Sequence, residues 1–154
     1  MSLLSSEAHA APLVGEIETQ FHASCVAFHG KGLLILGASG AGKSALALRL
    51  MALGAALVAD DRVDVRRDGQ RVIASCPAAL SGMIEARGIG ILRAVPVAQA
   101  DIALVADLDR SETERLPPRR HVSVLGIDVD LVLGVNSDHF PAALLCYLSN
   151  GRQS

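Results

Sequence analysis

The stretch Gly37-Ala38-Ser39-Gly40-Ala41-Gly42-Lys43-Ser44 decides the fold, because it matches the phosphate-binding loop pattern GxxxxGK[ST] at the junction of two predicted elements. Residues 32–36 before it, GLLIL, are apolar and typical of a buried strand. Residues 45–53 after it are almost all strong helix formers and stop at Gly54. In this order the glycines let backbone N–H groups converge on a phosphate at the N-terminus of a helix. We therefore predict a nucleotide site at residues 37–44, in which Lys43 contacts the β- and γ-phosphates and Ser44 binds Mg²⁺.

The composition favours one α/β domain. The chain has 154 residues, of which 51% are hydrophobic and only 3% aromatic. A core of Leu, Val, Ile and Ala is common where helices cover a sheet. Residues 1–15 are small and polar without a sustained period, so we predict a loosely ordered leader there and a single nucleotide-binding domain at 16–150.

Charge and cysteine content exclude several classes of protein. A net charge of −2 and a pI of about 6.2 give no electrostatic reason to expect a nucleic-acid partner. Cys25, Cys76 and Cys146 are widely spaced and form no CxxC pair, which argues against a disulfide framework or a zinc site. No apolar run approaches the roughly 18 residues of a membrane span, and the N-terminus lacks the pattern of a secretory signal. We expect a cytoplasmic protein with neither a membrane nor a nucleic-acid partner.

A second candidate feature follows the predicted helix. Residues 55–59, AALVA, read as a short strand that ends at Asp60-Asp61. Carboxylates at the C-terminal end of a buried strand lie where parallel sheets bind ligands, so one could serve Mg²⁺ while the other accepts a proton. An Asx-type turn is the alternative interpretation of the same pair.

The rest of the chain predicts further strands and a closing helix. Residues 17–28 have the composition of strands and lead through a turn at 29–32, which indicates a hairpin that feeds the strand before the loop. Residues 83–92 combine an acid, a base and two glycines, which indicates either a backbone that passes close to another group or a glycine-rich turn with a surface Glu/Arg pair. The other predictions are a hairpin over 62–73 turning at Asp68-Gly69, a buried central strand at 100–108, a charged loop at 109–120, one or two strands at 121–133, and an amphipathic helix at 140–148 begun near Asp138 or Pro141.

Several of these segments together resemble the catalytic domain of HPr kinase/phosphorylase, a bacterial enzyme that phosphorylates a serine of the phosphocarrier protein HPr and can remove that phosphate. The resemblance covers about residues 20–133 in the order of the family. It is carried by FHASCV at 21–26, the loop at 37–44, LVADDRV at 57–63, the signature IEARGIGI at 84–91, and Glu114-Arg115-Leu116. It implies an α/β fold with a mixed central sheet that contains the phosphate loop, flanking helices, and a kinase core like that of phosphoenolpyruvate carboxykinase.

The resemblance also implies catalytic roles. Asp61 matches the carboxylate that accepts the serine proton, with Asp60 beside it. His22 matches a histidine that supports this carboxylate, and Arg115 matches an arginine that faces the phosphoryl group. On its own a lone histidine in a strand is more often structural, and nothing in its surroundings in the sequence separates His22 from the other histidines.

ATP and Mg²⁺ are the cofactors that the resemblance implies. Lys43 and Ser44 match nucleotide and magnesium contacts, and Glu85 matches a second magnesium ligand, ahead of a signature loop with Arg87, Gly88 and Gly90. The implied partner is an HPr-like phosphocarrier, and the implied assembly is a homohexamer. Phosphoryl transfer consists mostly of positioning and charge neutralisation, and these residue types supply a cradle, a metal site, a base and a cation.

The sequence departs from the family in three places. Ala45 follows the loop serine where better-known members have a glutamate, and residues 135–141 do not correspond to the proline- and arginine-rich loop linked to dephosphorylation. The N-terminal regulatory domain of longer members has no counterpart either, which predicts a kinase-core form. Phosphorylase activity therefore stays open, as do two alternative functions: a small-molecule kinase, and a nucleotide-binding sensor without catalysis.

Overall fold

A computed structural model describes residues 17–154 of the protein. The predicted leader at 1–15 lies outside the described residues, and the domain boundary at 16–150 stays a prediction. The strands are β1 Ile17–Phe21, β2 Ala23–Phe28, β3 Lys31–Leu36, β4 Ala56–Ala59, β5 Val63–Asp68, β6 Arg71–Ser75, β7 Met83–Ala86, β8 Gly90–Arg93, β9 Gln99–Ser111, β10 Arg120–Val124 and β11 Ile127–Gly134, and the helices are α1 Lys43–Ala52, α2 Phe140–Asn150 and a short 3-10 helix Ala78–Leu80.

The central sheet has nine strands of mixed direction and brings three loops to one edge. β3 and β11 both run parallel to β9, on opposite sides of it. β3 and β4 are each antiparallel to β2, so they run in the same direction as one another. The phosphate loop after β3, the turn after β4 and the end of β9 therefore meet at the same edge of the sheet.

A bent two-stranded ribbon closes the sheet on itself. β1 pairs antiparallel with β5 through Phe21 and Val63, and β2 pairs antiparallel with β4 through Cys25 and Ala59, beyond which the register shifts at Val26. The two halves meet at a bend, where His22 and residues 60–62 leave the regular ladder. Because β5 connects through β6, β9 and β3 back to β2, the strands curl into a partly closed barrel.

Both faces of the sheet are buried, as the apolar run before the phosphate loop predicts. On β3, Leu33 and Ile35 pack with residues of α1 and α2, whereas Leu34 packs inside the curl of the sheet. The mixed α/β fold is confirmed, but the two helices belong to one core cluster only. The other face is covered by the sheet itself, because the bent ribbon and the β10–β11 hairpin fold over it.

Most predicted elements are confirmed, with local shifts. The second hairpin turns at Gly69-Gln70, since Asp68 already pairs with Arg71. The central strand β9 continues to Ser111, so the charged connection is shorter than predicted. The closing helix is confirmed as α2, and no helix within residues 17–154 is long and apolar enough to cross a membrane.

Candidate active site

Two glycines give the phosphate loop its shape. A Cβ on Gly37 would lie 2.9 Å from the Cβ of Ala41, closer than real Cβ contacts allow, so the loop can approach itself only without a side chain there. Gly42 precedes α1 with a φ of +101°, a left-handed conformation that favours glycine. The loop therefore leads directly into α1, whose first N–H groups have no partner inside the helix. This is the backbone arrangement that the predicted phosphate site requires.

The side chain of Lys43 follows the loop. The residue is only 7% exposed, and its Nζ donates to the carbonyl oxygens of Gly37 at 2.7 Å and of Ala38 at 3.1 Å. An ammonium group has three donors. Within the described residues these two bonds leave one N–H, which is available to a phosphate oxygen in the cavity that Lys43 lines.

Asp60 is buried against the phosphate loop, with 5% of its surface exposed. Its Oδ1 accepts from Ser24 Oγ at 2.6 Å and from Ser44 Oγ at 2.7 Å. Its Oδ2 accepts from the backbone N–H of Glu85 at 3.2 Å. One carboxylate therefore connects the loop serine, a strand of the bent ribbon and the β7–β8 hairpin.

Asp61 has the opposite environment. Its side chain is 60% exposed, and its Oδ1 lies 3.0 Å from Nε2 of His22. Nε2 donates this hydrogen bond to the carboxylate in the tautomer that has its proton on Nε2. Asp61 also has a φ of +74°, an uncommon value for a residue other than glycine. The bend of the ribbon produces the pair, because His22 and Asp61 leave the ladder opposite one another.

A cavity of about 580 Å³ joins the phosphate loop, Asp61 and the β7–β8 hairpin. The structure therefore brings nine of the predicted site residues to one cavity, while Asp60 is not among its lining residues. The lining residues are His22, Ser24, Ser39, Gly40, Gly42, Lys43, Ser44, Ala45, Leu48, Asp61, Glu85, Ala86, Arg87 and Ile89.

The donors around Ser44 fit a magnesium ion. Mg²⁺ is usually bound through one or two carboxylates together with substrate phosphates and water, not by a cage of protein ligands. Ser44 Oγ and the Asp60 carboxylate are in contact, and Glu85 lines the same cavity. The part of the chain that the structure describes contains no cluster of three or more metal-ligating side chains, so phosphate oxygens and water would complete the set.

Besides Asp60, three residues predicted outside the phosphate loop are not among those that line the cavity. Arg115 is exposed, is not among the lining residues, and makes no side-chain hydrogen bond or ion pair within the described residues. An added Cβ on Gly88 or Gly90 would meet nothing within 4 Å among residues 17–154. Gly88 lies in the turn of the β7–β8 hairpin and Gly90 is the first residue of β8. Their φ values of +86° and +142° favour glycine at both positions, which supports the turn over the close-approach interpretation.

Two residues of the site are not predicted from the sequence. Ser24 stands in an apolar strand, and only its place opposite Asp60 in the ribbon shows that its hydroxyl binds that carboxylate. Asp109 looks like the start of a charged loop, yet its Oδ1 accepts the backbone N–H of Ala38 at 2.9 Å. The signal that could have found Asp109 is an acidic residue at the end of a buried strand, the same signal that singled out Asp60 and Asp61.

Two thiols near the site are protonated. Burial raises the pKa of Cys25 to about 12. Burial, and then the negative charges of Asp64 and Asp60, raise the pKa of Cys76. Neither side chain lines the cavity, so neither acts as a nucleophile there.

Comparisons with known proteins match most of the chain to one family. Residues 16–129 match the family model described as HPr Serine kinase C-terminal domain. The chain is 37% identical over 125 residues to HPr kinase/phosphorylase of Alkaliphilus metalliredigens, covering 72% of this chain and 40% of that protein. It is 35% identical over 133 residues to HPr kinase/phosphorylase 1 of Oceanobacillus iheyensis, covering 81% and 41%. With the HPr kinase/phosphorylase of Clostridium tetani it shares 48% identity over 75 residues, 49% of this chain and 25% of that protein.

A solved structure shows the same fold. The Hpr(Ser) kinase/phosphatase from Coxiella burnetii superimposes with a TM-score of 0.71 at 29% sequence identity, over 86% of this chain and 95% of that chain. By contrast, the chain spans only about a quarter to two fifths of the length of the curated relatives it matches. The comparisons therefore concern this domain, and the activity of the longer relatives is only proposed for this chain.

Proposed function

The chain belongs to the family of the HPr serine kinase C-terminal domain, and we propose that it transfers the γ-phosphoryl group of ATP, with Mg²⁺, to a serine of an HPr-like phosphocarrier protein. The observation that carries the proposal is that one cavity has the phosphate loop with Lys43 on one wall and the Asp61–His22 pair on another. A phosphate donor and a proton acceptor are thus presented to the same space, as phosphoryl transfer requires.

Asp61 is the candidate proton acceptor, since it is the exposed member of the acidic pair. As the serine Oγ forms a bond to the γ-phosphorus and the bond from that phosphorus to the β–γ bridging oxygen breaks, the serine proton passes to the Asp61 carboxylate. His22 binds Asp61 Oδ1 and leaves Oδ2 for the incoming hydroxyl. The pair thereby orients the carboxylate before the acceptor arrives.

Lys43 and Ser44 act on the donor side. Lys43 is held along the loop by two carbonyl oxygens, so the ammonium has a defined position for a phosphate contact. Ser44 and Glu85 are the residues that would hold Mg²⁺, and Asp60 would fix Ser44 from behind the cavity wall. When bound, Mg²⁺ neutralises charge on the phosphate oxygens. Asp60, buried with three hydrogen bonds, is suited to this fixed role and not to proton transfer.

Further parts of the proposal come from the family resemblance. Arg115 supplies the cation that faces the transferred phosphoryl group, which requires the loop at 112–119 to approach the cavity when substrates bind. We also propose a cytoplasmic location, which the sequence analysis predicts, and a homo-oligomer, which the resemblance implies. Light scattering on the purified protein tests the assembly.

A phosphotransfer experiment tests the function. The purified protein is incubated with radiolabelled ATP, Mg²⁺ and the phosphocarrier of the same cell, and labelled phosphoserine is quantified. Asp61→Asn removes the proton acceptor at nearly constant shape and lowers the transfer rate by roughly 10²-fold or more. The reverse assay, phosphorylated carrier with inorganic phosphate, tests phosphorylase activity.

Other outcomes assign other functions. Phosphorylation of a free metabolite but not of the carrier indicates a small-molecule kinase. Tight ATP binding without transfer to any acceptor indicates a nucleotide sensor. A wild-type protein that neither binds ATP nor transfers phosphate refutes the proposal altogether.

A further inference from the structure

The end of β9 continues beside the phosphate loop after β3 has left the sheet. Leu36, the last residue of β3, pairs with Asp107 of β9. Ala38 and Asp109 lie two residues beyond this pair. There the N–H of Ala38 no longer donates to a strand carbonyl and instead donates at 2.9 Å to the side chain of Asp109. The Asp109 carboxylate thus replaces the next acceptor of the β ladder at the point where the loop begins.

Ala38 is held from both sides. Its N–H donates to Asp109, while its carbonyl oxygen accepts from Lys43 Nζ at 3.1 Å and from the N–H of Ala41 at 3.0 Å. Asp109, Ala38 and Lys43 therefore form one connected set of hydrogen bonds. The ammonium position depends on where the Ala38 carbonyl points, and Asp109 anchors the other side of that residue.

Asp109 is held in turn by a buried carboxylate. Asp107 is 3% exposed, and its Oδ1 accepts the N–H of Asp109 at 3.0 Å. Its Oδ2 accepts from Nε of Arg110 at 3.0 Å, which compensates the buried charge. A carboxylate buried at this depth persists only with such partners. The backbone that carries Asp109 is consequently held by contacts that do not involve the phosphate loop.

We propose that Asp109 is a positioning residue that holds the phosphate loop, and through Ala38 the Lys43 ammonium, in the geometry that receives a nucleotide phosphate, with Asp107 fixing Asp109. The role rests on the proposed nucleotide binding at this loop. Asp109 is not among the residues that line the cavity, so it acts from behind the loop as a hydrogen-bond acceptor and not as a metal ligand or proton acceptor.

If Asp109 acts as a hydrogen-bond acceptor, two substitutions at this position have different effects on ATP affinity. In Asp109→Asn the amide oxygen can still accept the Ala38 N–H, so ATP affinity stays within about twofold of wild type. In Asp109→Ala the acceptor is lost, and the net value of one such hydrogen bond corresponds to about fivefold weaker ATP binding. Asp101→Ala, at the other end of β9, is the matched control and binds ATP like wild type. Affinities are measured by titration calorimetry with ATP and Mg²⁺.

Amide hydrogen exchange of Ala38, read by NMR, tests the anchor without nucleotide. The Ala38 N–H is protected in wild type and in Asp109→Asn, and loses protection in Asp109→Ala. The proposal is overturned if Asp109→Ala binds ATP as tightly as wild type. It is also overturned if Asp109→Asn binds ATP as weakly as Asp109→Ala, because the negative charge of Asp109 would then be what matters. If Asp109→Ala fails to fold, an unprotected Ala38 amide in the wild-type protein still refutes it. Wild type that binds no ATP while Ala38 is protected contradicts the proposed function and leaves the anchor intact.

Discussion

The substitution Asp61→Gly distinguishes the effect of the strained backbone at Asp61 on stability from the effect of its carboxylate on catalysis. Asp61 has a φ of +74°, a left-handed conformation that costs L-residues roughly 1–2 kcal/mol and glycine almost nothing. Glycine in turn makes the unfolded chain more flexible, which destabilises by about 0.4–1 kcal/mol relative to alanine. The difference predicts that Asp61→Gly is more stable than Asp61→Ala by about 0.5–1 kcal/mol, the reverse of the usual order of these two residues.

Loss of the contact with His22 lowers the stability of both variants equally. Both partners are more than half exposed, and a surface pair of this kind contributes about 0–1 kcal/mol. Asp61→Gly therefore has a stability close to that of wild type. Phosphotransfer falls by roughly 10²-fold or more in both variants, because each lacks the proton acceptor.

Urea unfolding followed by circular dichroism measures the stability order, and the phosphotransfer assay measures activity. His29, with a φ of +52° in the turn between β2 and β3, is the matched control, since His29→Gly is also more stable than His29→Ala but keeps activity. Arg49, exposed within α1, is the reverse control, where glycine is about 1 kcal/mol less stable than alanine. The reasoning fails if Asp61→Ala is the more stable variant, or if either variant transfers phosphate at the wild-type rate.

Three further changes test other parts of the site and the core. Lys43→Ala removes the ammonium that binds two loop carbonyls and weakens ATP binding by about tenfold or more in titration calorimetry, since charge-assisted hydrogen bonds are worth about 1.5–3 kcal/mol; unchanged affinity contradicts a phosphate role for Lys43. Asp60→Asn keeps an acceptor for Ser44 but removes the charge, so the Mg²⁺ concentration for half-maximal transfer rises by about tenfold, whereas an unchanged Mg²⁺ curve assigns the metal elsewhere. The pKa of Cys25 rises from an ordinary 9.0 to about 12 on burial, so the thiol is neutral in the folded state and the free energy of unfolding falls as pH rises above 9, by roughly 1 kcal/mol at pH 10 from this group. Urea unfolding across pH 7–10.5 shows that fall in wild type and a shallower one in Cys25→Ala, and equal slopes refute the assignment.

The elements that local sequence predicts well are those that the residues of a single segment determine. The apolar run of β3, the helix formers of α1 and the glycines of the loop each act over a few residues. The strand and the helix are confirmed, because backbone propensity and hydrophobic period act within each segment. Phosphate binding by the loop between them stays a prediction. The shift of the second hairpin turn to Gly69-Gln70 shows the limit of this reasoning, since the pairing of β5 with β6 chose the turn residues.

The relation between Asp60 and Asp61 lies beyond local sequence. Both acids are polar neighbours at a strand end, yet one is buried under Ser44 and the other faces the cavity beside His22. The partners stand far apart in the chain, 36 positions for Ser24 and Asp60 and 39 for His22 and Asp61. Only the register of the bent ribbon brings them opposite one another.

The amino-acid sequence by itself therefore determined the α/β class and the strand and helix on either side of the loop at 37–44, because those elements depend on residues close together in the chain. The tertiary structure decided which carboxylate binds the loop serine and which faces the cavity. It also decided that Asp109, 71 positions from Ala38, anchors the loop. The physical reason is the curl of the sheet, since residues remote in sequence become hydrogen-bond partners only where β9 and the bent ribbon return to the edge at which the phosphate loop begins.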